Sequence, residues 1–435
     1  MNAVWATPFF ANSAVGELGG RVAIELAREG HHVVLVGTGP APYITTPLPF
    51  IAAGESGRVD PDLFGQFDTA IFNASNHGSS IPIFWLLERV PGIVVLCDRV
   101  YVHGLDAYTR AMGMPQRLEQ MAQRYYGDAG VDFVRRFRAG TARNEELEQF
   151  PFFEPLLELA QCALVHSHEY VDFVSSRWKG LVERLTGFTV PPRPTEAPAP
   201  RSALQVGEDD FLLAFVGYIT PYRSLDVAMQ VLRDRPDLAR KTKFAVVGRI
   251  EDNAYAQQLQ NTAVQYGLGD IMRWGFNAND ATKHAVLGNA DAAYNCRTLN
   301  SEGSSASLLE EMSYGVPTIV NANGFARDIP PDAVCFVERA TMHADVTRVL
   351  EELIGSPERR KAIGERARAW IATNSTTQSY ATTIANAADR TAYLRPRNGI
   401  RGRIASVLDE MGVTETGAYG EKLRALTDEM FDLPK

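Results

Sequence analysis

Short apolar runs alternate with helical patterns along this chain, and this alternation constrains the fold more than any other feature of the sequence. The runs of the first half are rich in β-branched residues and almost free of polar ones, as in strands whose two faces are both covered. Successive strands joined through helices run parallel, with right-handed crossovers. The first half is therefore predicted to form a parallel sheet, with strands at residues 2–6, 32–37, 69–73, 93–97 and 163–167.

The second half repeats the same rhythm. Strands are predicted at residues 212–216, 244–247, 272–274, 292–295 and 318–321. Helices are predicted at residues 224–233, 254–266, 281–287, 305–314, 343–354, 357–372 and about 376–394. The predicted fold class is thus α/β, with two Rossmann-like, doubly wound parallel-sheet domains that face a central cleft. Ligands of such sheets bind beyond the carboxyl ends of the strands, so this cleft is the expected site.

A proline-rich segment separates the two halves. Residues 191–200 hold five prolines, and proline continues neither a helix nor a central strand. We therefore place the main domain boundary here. The expected divisions are a first domain (1–190), a linker (191–205), a second domain (206–375), a helix that packs back on the first domain (376–394) and a helical tail without an assigned role (395–435).

Composition and charge narrow the function classes. The chain has 435 residues, 45% of them hydrophobic and 22% charged, which excludes a disordered or collagen-like protein. Its net charge of −9 disfavours nucleic-acid binding. The four cysteines show no CxxC spacing, so neither a disulfide scaffold nor a zinc site is expected. The sequence has no signal-peptide pattern and no apolar run long enough to span a bilayer, and we expect a cytoplasmic protein whose membrane contact is at most peripheral.

A basic helical stretch with interleaved aromatic residues lies at residues 117–143. Such a stretch suits an anionic acceptor or a membrane surface. The acidic residues Glu119, Asp128 and Asp132 within it also fit a solvated face with balanced charge. The balanced face is the interpretation that we favour.

The segment most informative about function opens one of the predicted helices of the second half. Gly303, Ser304 and Ser305 precede this helix, whose free N-terminal amides suit an anionic phosphate. Glu302 lies just before them, and Glu310 lies about two turns into the helix. Carboxylates at this spacing suit hydroxyl groups on either side of a bound diphosphate. The local sequence is equally compatible with an acidic residue favoured by the helix dipole and a solvated glutamate.

Glu302 and Glu310 enclose seven residues and are followed by Tyr314-Gly315-Val316-Pro317. This segment resembles the Glu-x7-Glu motif of the retaining GT-B glycosyltransferases of family 4. Further segments that resemble the family lie, in chain order, at residues 215–217, 223–226, 245–249, 274–276 and 289–292. The resemblance is strong over about residues 210–390 and weaker over residues 1–190. It implies the GT-B fold and a nucleotide diphosphate sugar as donor.

The resemblance also assigns roles to the residues of the motif. It places Glu302 on the donor sugar and Glu310 on the nucleotide ribose. Gly303, Ser304 and Ser305 would present amides or hydroxyls to the sugar and the diphosphate.

A pair of basic residues normally clamps the diphosphate in this family. Arg223 matches the second basic position, as arginine instead of lysine, and is therefore expected to act in catalysis and in donor binding. Tyr218 occupies the place where the family often has arginine, so another cation, Arg249 or Arg297, is expected to compensate. From the local sequence alone, Arg223 is also compatible with a surface arginine before a helix. The remaining donor-binding residues that the resemblance implies in this half are Gly217, Gly248 and Phe276.

In the first half, Gly16 lies in a glycine-containing loop between a strand and a helix. The spacing Gly16-x-x-Gly19-Gly20 is not a dinucleotide fingerprint, and we favour a loop facing the donor over a simple tight turn. Asp98 ends another strand, where the family often reads Leu-His-Asp, and is the expected polar site residue of this half. Cys97 replaces the family's histidine, and His103 is equally compatible with the site and with the surface.

Taken together, the resemblance implies a retaining glycosyltransferase that moves a sugar from a nucleotide diphosphate donor, of UDP or GDP type, to a hydroxyl of a glycan or lipid-linked acceptor. Its expected role is in surface polysaccharide biosynthesis. No tightly bound cofactor and no metal are expected, and we interpret Asp60-Pro61-Asp62 as a turn instead of a metal motif. Two alternatives stay open: a GT-B epimerase or phosphorylase, and a degenerate, non-catalytic GT-B scaffold suggested by Tyr218 and Cys97.

Overall fold

The computed structural model describes residues 1–11, 13–53, 59–250, 252–410 and 422. For residues 397, 401, 405, 406 and 408–410 it describes the backbone alone. Its internal contacts divide the described chain into two units. Unit 1 comprises Met1–Phe188, Ser301–Ser304 and the described chain from Thr377 onward, and unit 2 comprises Thr189–Asn300 and Ser305–Thr376.

In the described chain, the sheet of unit 1 has seven strands: β1 (Asn2–Pro8), β2 (His32–Thr38), β3 (Phe50–Ala52), β4 (Thr69–Ala74), β5 (Gly92–Leu96), β6 (Ala160–Val165) and β7 (Leu181–Arg184). Their order is β3-β2-β1-β4-β5-β6-β7, and every pairing is parallel. The strands predicted for the first half are confirmed. The two edge strands β3 and β7 were not predicted from the sequence, because they are short and only partly buried.

The sheet of unit 2 has six strands in the described chain: β8 (Phe211–Val216), β9 (Thr242–Gly248), β10 (Met272–Phe276), β11 (Ala292–Tyr294), β12 (Thr318–Asn321) and β13 (Cys335–Val337). Their order is β10-β9-β8-β11-β12-β13, again with parallel pairings throughout. The predicted α/β class with two Rossmann-like parallel sheets is therefore confirmed.

The helices of the described chain are α1 (Ala14–Arg28), α2 (Pro61–Phe64), α3 (Ile81–Leu87), α4 (Val102–Ala111), α5 (Arg117–Arg138), α6 (Asn144–Gln149), α7 (His168–Ser175), α8 (Leu225–Asp234), α9 (Pro236–Ala239), α10 (Asn253–Gln265), α11 (Asp280–Asn289), α12 (Ala306–Ser313), α13 (Met342–Gly355), α14 (Pro357–Asn374), α15 (Thr377–Thr391) and α16 (Arg395–Glu410). None of the described helices is both long and apolar enough to cross a bilayer.

The core of unit 1 joins its sheet to α1 and α15. Trp5 of β1 and Leu26 of α1 are fully buried in one hydrophobic cluster with Tyr380 and Ile384 of α15. The Tyr380 hydroxyl also lies 3.2 Å from Nε2 of His166, just after β6. α15 therefore belongs to the core of unit 1 although it follows unit 2 in the sequence. Residues 411–435 of the predicted tail, apart from Lys422, lie outside the described residues.

The arginines of α5 form ion pairs with acidic residues within unit 1. The pairs are Arg117 with Glu88, Arg124 with Glu158, Arg135 with Glu119, Arg136 with Asp132 and Glu146, and Arg138 with Asp106 and Glu119. This pairing agrees with the interpretation of the stretch as a charge-balanced face.

The proline-rich segment packs along α11 of unit 2. Asn289 donates from Nδ2 to the carbonyl of Ala199 at 2.8 Å, and Nε2 of His284 lies 3.0 Å from the carbonyl oxygen of Glu196. A Cβ on Gly288 would lie 2.6 Å from Cβ of Pro198, so the helix accepts the proline only because it has no side chain there. The segment is thus held in place by contacts with one helix.

Each sheet reverses its strand order at one point. In unit 1 the reversal lies between β1 and β4, and in unit 2 it lies between β8 and β11. At such a point the loops leaving the two strands diverge and open a crevice at the carboxyl edge, where ligands of α/β sheets bind. The segments after β1, β4, β8 and β11 are therefore where site residues are to be sought.

Candidate functional site

Two arginines meet at the N-terminus of α12. Ser305 is the N-cap, and its Oγ accepts from the backbone N–H of Leu308 at 3.2 Å. Arg297 donates from Nη2 to the same oxygen at 2.7 Å. Arg223 donates from Nη2 to Oγ of Ser307 at 3.4 Å, and the two serine oxygens are 3.5 Å apart. The guanidinium groups thus converge where free helix amides and the helix dipole already favour an anion.

The two arginines differ in exposure. Arg223 is only 3% exposed, and its guanidinium carbon lies 5.1 Å from the centroid of the Phe215 ring. Arg297 is partly exposed. It is oriented by hydrogen bonds from Nη1 to Oδ1 of Asn295 at 2.8 Å and from its backbone N–H to Oδ1 of Asn321 at 2.6 Å. Arg297 therefore presents the more accessible of the two charges.

Asn295 and Glu311 form a buried polar base next to the arginines. Both are fully buried, and Nδ2 of Asn295 donates to Oε2 of Glu311 at 2.7 Å and to Oγ of Ser307 at 3.0 Å. Burial raises the pKa of Glu311 to about 8, although the Asn295 hydrogen bond and the charges of Arg223 and Arg297 oppose this shift. At neutral pH this carboxyl is mostly protonated, so it does not cancel the positive charge of the arginines.

Neither Asn295 nor Glu311 is among the site residues predicted from the sequence. The available signal for Asn295 was its position as the last residue of a predicted central strand. Glu311 had no comparable signal, because a second glutamate beside Glu310 looks identical in a local pattern. Which of the two carboxylates is buried follows only from how α12 packs.

Glu310 is the accessible carboxylate of α12, with its side chain 16% exposed. One oxygen, Oε1, lies 3.0 Å from Nζ of Lys283 on α11. The next residue of α11, His284, places Nδ1 2.8 Å from the hydroxyl of Tyr314, one turn after Glu310. Two successive residues of α11 thus hold two positions on one face of α12.

Gly217, Gly248 and Phe276 lie at the carboxyl ends of neighbouring strands of unit 2. Gly217 follows β8 with φ +146°, a conformation that strains any residue with a side chain. A Cβ on Gly248, the last residue of β9, would lie 1.7 Å from the carbonyl oxygen of Gly217. Phe276 ends β10, is partly exposed, and its ring centroid is 5.1 Å from that of Trp274. The two glycines let the backbone segments after β8 and β9 approach each other closely. The Phe276 ring lies at the same edge of the sheet, at the end of β10.

Glu302 and Gly303 lie against the end of β5 in unit 1. Asp98 and Glu302 form an isolated antiparallel bridge, and the N–H of Gly303 donates to the carbonyl of Cys97 at 3.0 Å. A Cβ on Gly303 would lie 2.8 Å from that same carbonyl oxygen, so the pairing requires glycine. The first glutamate of the motif therefore packs in unit 1, whereas Glu310 belongs to unit 2. Ser304, between Gly303 and the N-cap, is partly exposed.

Asp98 belongs to a polar group at the carboxyl edge of unit 1. Its Oδ2 accepts from the N–H of Asn76 at 2.7 Å, and Nδ2 of Asn76 lies 3.2 Å from Nδ1 of His103. Burial raises the pKa of Asp98 to about 7, the Asn76 hydrogen bond opposes the shift, and the charge of Glu302 adds to it. Burial lowers the pKa of His103, which keeps the imidazole neutral. Burial also raises the pKa of the Cys97 thiol, so the residue in the histidine position carries no charge.

Gly16 lies in the first turn of α1. Its N–H donates to Oγ of the N-cap Ser13 at 3.1 Å, and a Cβ on it would lie 2.1 Å from the carbonyl oxygen of Pro8. The close packing of α1 on the end of β1 therefore accounts for glycine at this position. Its expected role beside the donor stays a prediction.

Within the described residues, no group of three or more His, Cys, Asp or Glu side chains is placed to hold a metal ion. Asp60 instead caps α2, because its Oδ1 accepts from the N–H of Asp62 at 3.0 Å. The described residues thus present two polar groups: an arginine–serine group in unit 2, and a carboxyl–amide–imidazole group in unit 1.

Residues 198–370 match the family described as glycosyl transferases group 1. These residues span the arginine–serine group, Glu302, Glu310 and the glycine turns. This part of the chain is therefore similar to the glycosyl transferases of group 1. No curated protein matches the chain in sequence.

Solved structures share the fold of this chain over most of its length. WaaG, described as a glycosyltransferase involved in lipopolysaccharide biosynthesis, is 17% identical, with 89% of this chain and 99% of that chain covered at a TM-score of 0.58. Anabaena Alr3699/HepE, in complex with UDP and glucose, is 12% identical, with 89% and 98% covered at 0.62. The catalytic domain of starch synthase IV from Arabidopsis thaliana, bound to ADP and acarbose, is 11% identical, with 90% and 99% covered at 0.60. The chain thus has the GT-B fold.

Proposed function

We propose that this glycosyltransferase transfers a sugar from a nucleotide diphosphate donor to a hydroxyl group with retention of the anomeric configuration. The observation that carries the proposal is the convergence of Arg223 and Arg297 on the serines at the N-terminus of α12. Two guanidinium groups and free helix amides at one point suit a diphosphate better than any neutral ligand.

The diphosphate would bind in front of Ser305, with Arg297 as the accessible cation and Arg223 behind it. In this assignment Arg297 supplies the positive charge that the family often provides with an arginine at the position of Tyr218. Arg249 is the weaker candidate for that role, since its guanidinium carbon lies 5.8 Å from the ring centroid of Tyr218 and it has no described bond to the serines. The ribose would lie at Glu310, and the base at the edge that holds Gly217, Gly248 and Phe276.

Glu302 would hold a hydroxyl of the donor sugar, and the group around Asp98 would hold the acceptor. Asp98, Asn76 and His103 offer hydrogen bonds that suit a polyhydroxyl compound. In the transfer, the bond from the acceptor oxygen to the anomeric carbon forms on the face from which the diphosphate departs. The bond to the diphosphate breaks, and the acceptor proton passes to a phosphate oxygen.

The chain contributes to this reaction through position and charge. Negative charge develops on the departing diphosphate, and the donors fixed around Ser305 stabilise it without reorganisation during the step. The buried, protonated Glu311 supports this role, since an ionised carboxylate there would weaken the same stabilisation. Asn295 holds Glu311 and Arg297 together and would keep the guanidinium in place.

The ligands bound in the structural neighbours support a nucleotide donor, with UDP in one and ADP in another. The description of WaaG supports an acceptor in the assembly of a surface glycan, as a glycan or a lipid-linked sugar. We propose the same acceptor class for this chain, with the reaction at the cytoplasmic side of the membrane.

The first test is a panel of UDP-, GDP-, ADP- and dTDP-sugars, measured by calorimetry and then by product analysis with a glycan acceptor. We expect one nucleotide to bind and the product to keep the anomeric configuration of the donor. Absence of binding to every donor would support the non-catalytic scaffold instead. Conversion of a donor without acceptor would support an epimerase, and an inverted product would refute retention.

A matched pair of variants links the panel to the proposed site. Arg223→Met is expected to weaken binding of the selected nucleoside diphosphate by about 10- to 100-fold, because a charge-assisted contact is lost. Arg240→Met, which removes an exposed arginine after α9, is expected to leave binding unchanged. Equal effects of the two variants would contradict the placement of the diphosphate. Thermal unfolding of both variants verifies that the fold is intact.

A further inference from the structure

We propose that Lys283 is a positioning residue that fixes Glu310 and thereby makes the enzyme select donors with an intact ribose 2′,3′-diol. The proposal rests on the placement of the ribose at Glu310 in the proposed function. It goes further, because it adds a residue outside the motif and predicts discrimination against 2′-deoxynucleotides.

The ion pair between Lys283 and Glu310 joins α11 to α12. Nζ lies 3.0 Å from Oε1 of Glu310, and the side chains of the two residues are 28% and 16% exposed. Asp280 lies farther from Nζ, at 3.4 Å, and its side chain is 98% exposed, so it competes only weakly for the ammonium group. Lys283 is therefore engaged mainly with Glu310.

The neighbouring contacts make this pair stiffer than an ordinary surface ion pair. His284 lies 2.8 Å from the Tyr314 hydroxyl through Nδ1, and 3.0 Å from the carbonyl oxygen of Glu196 through Nε2. The guanidinium carbon of Arg193 lies 5.5 Å from the centroid of the Tyr314 ring. Since Lys283 and His284 are adjacent, the helix that carries the ammonium group is fixed by a second set of contacts one turn along α12.

A fixed carboxylate can discriminate where a mobile one cannot. Lys283 contacts Oε1 of Glu310, and Oε2 of the same carboxylate is therefore the oxygen proposed to accept from a hydroxyl. The ion pair with the ammonium group also restrains rotation of the carboxylate toward other ligands. A diol can donate to this carboxylate from adjacent hydroxyls, whereas a 2′-deoxyribose loses one donor. A site with a preorganised hydrogen-bonding group rejects the analogue that lacks the partner, because the group is then left unsatisfied.

The position of α11 in the sequence adds a second reason. This helix begins four residues after Phe276, at the strand end where the proposal places the base. The N–H of Asn277 donates to the carbonyl of Gly248 at 2.7 Å, and Oδ1 of Asn277 accepts from the N–H of Ile250 at 3.1 Å, which fixes the turn between strand and helix. Lys283 therefore connects the edge assigned to the base with the carboxylate assigned to the ribose.

The test compares ribose with 2′-deoxyribose in the full-length wild type, Lys283→Met, Lys283→Arg and Lys243→Met. Lys243 lies at the opposite, amino end of β9, where its Nζ donates to the carbonyl of Asp270, and serves as the matched control. The probes are UDP, GDP and ADP, each beside its 2′-deoxy counterpart, with dissociation constants from calorimetry. For the nucleotide that binds, we expect the wild type and Lys243→Met to prefer the ribose form by about 10- to 100-fold.

Lys283→Met is expected to reduce that preference at least fivefold, mainly through weaker binding of the ribose form, and Lys283→Arg is expected to retain most of it. A variant that weakens both forms equally would overturn the positioning role, because a merely structural effect does not distinguish the sugars. An unchanged preference in a folded Lys283→Met would overturn it as well. If the wild type binds none of the nucleotides, the proposed function itself fails and this proposal fails with it.

Discussion

The carboxyl edges of the two sheets have the same topology and different chemistry. In unit 2 the edge gathers Arg223, Arg297 and the serines of α12 around a protonated carboxyl. In unit 1 the edge gathers Asp98, Asn76 and His103, and burial disfavours the charged forms of Asp98 and His103 by raising the pKa of the first and lowering the pKa of the second. We propose that this one architecture serves a different ligand in each unit. A strand order that reverses at its centre opens a crevice in both units, and the side chains at the strand ends decide whether an anion or a neutral polyol fits it.

The net charge of the chain conceals this difference. The chain carries −9 overall, and yet its one proposed anion site is cationic. The means of concentrating positive charge there is the burial of Glu311, whose pKa is raised to about 8. A global charge therefore says little about the sign of a local site.

The largest expected effect concerns Glu302, the residue of the motif that packs in unit 1. We expect Glu302→Gln to lower the transfer rate by about 100- to 1,000-fold, since a contact to the donor sugar that strengthens in the transition state would be lost. Affinity for the free nucleoside diphosphate should stay within about twofold, because the arginines and Glu310 are untouched. Steady-state transfer rates and calorimetry measure the two quantities. Comparable losses in both would remove the distinction between the sugar contact in unit 1 and the nucleotide contacts in unit 2.

The next largest effect is expected from substitution of Arg297. This experiment tests whether Arg297 or Arg249 supplies the positive charge that Tyr218 lacks. Arg297→Met should weaken binding of the nucleoside diphosphate by about 10- to 100-fold, because the accessible charge at Ser305 is removed. Arg249→Met, beside Tyr218, should change it less than threefold. Nucleoside affinity without phosphates is the internal control and should not change. A stronger effect of Arg249→Met would reverse the assignment.

The fold could be predicted from the sequence to a larger extent than the site. Buried central strands such as β5 are covered on both faces, and an almost continuous apolar run is the sequence signal of such a strand. The edge strands β3 and β7 face no such requirement: β3 has only three residues, and β7 ends in the charged pair Glu183-Arg184. The secondary-structure pattern therefore predicted the central strands of both sheets and the edge strand β10, and it missed the edge strands β3, β7 and β13.

The site depended on contacts that a local pattern does not contain. Asp98 and Glu302 were both selected from the sequence, but their pairing joins segments far apart in the chain. Glu311 and Lys283 were missed because an interior glutamate and a helical lysine look like solvated residues until the packing of α11 and α12 is known. The sequence offers Arg249 and Arg297 as alternatives for the cation that compensates for Tyr218. The hydrogen bond from Arg297 to Ser305 favours Arg297.

The raised pKa of Glu311, a residue of unit 2, predicts that the stability of the protein depends on pH. Burial raises its pKa to about 8 in the folded chain, above its unfolded value of about 4.3. Between these values the folded chain holds a proton that the unfolded chain has released. The free energy of unfolding should therefore fall as pH rises through this range, by at most about 1.4 kcal/mol for each pH unit from this group.

Glu311→Gln should flatten that decline, because glutamine keeps an acceptor for Asn295 and cannot ionise. Denaturant unfolding of the wild type and the variant at intervals from pH 5 to about pH 8.5 measures the difference. Glu208→Gln, at an exposed position of the same unit, is the control and should follow the wild type. Parallel curves for the wild type and Glu311→Gln would contradict a protonated carboxyl beside the arginines.

The smallest expected effect is a gain. Tyr218 is 43% exposed and stands where the family 4 glycosyltransferases that the sequence resembles often have arginine. Tyr218→Arg should tighten binding of the nucleoside diphosphate by no more than about fivefold, because an exposed charge contributes about 1 kcal/mol or less and Arg249 nearby repels it. Tyr218→Gln is the control for loss of the ring. In the Arg297→Met background, Tyr218→Arg should increase the affinity by a larger factor, since the site would then lack the charge of Arg297. If the gain is as small in that background as in the wild type, the two positions do not share one diphosphate.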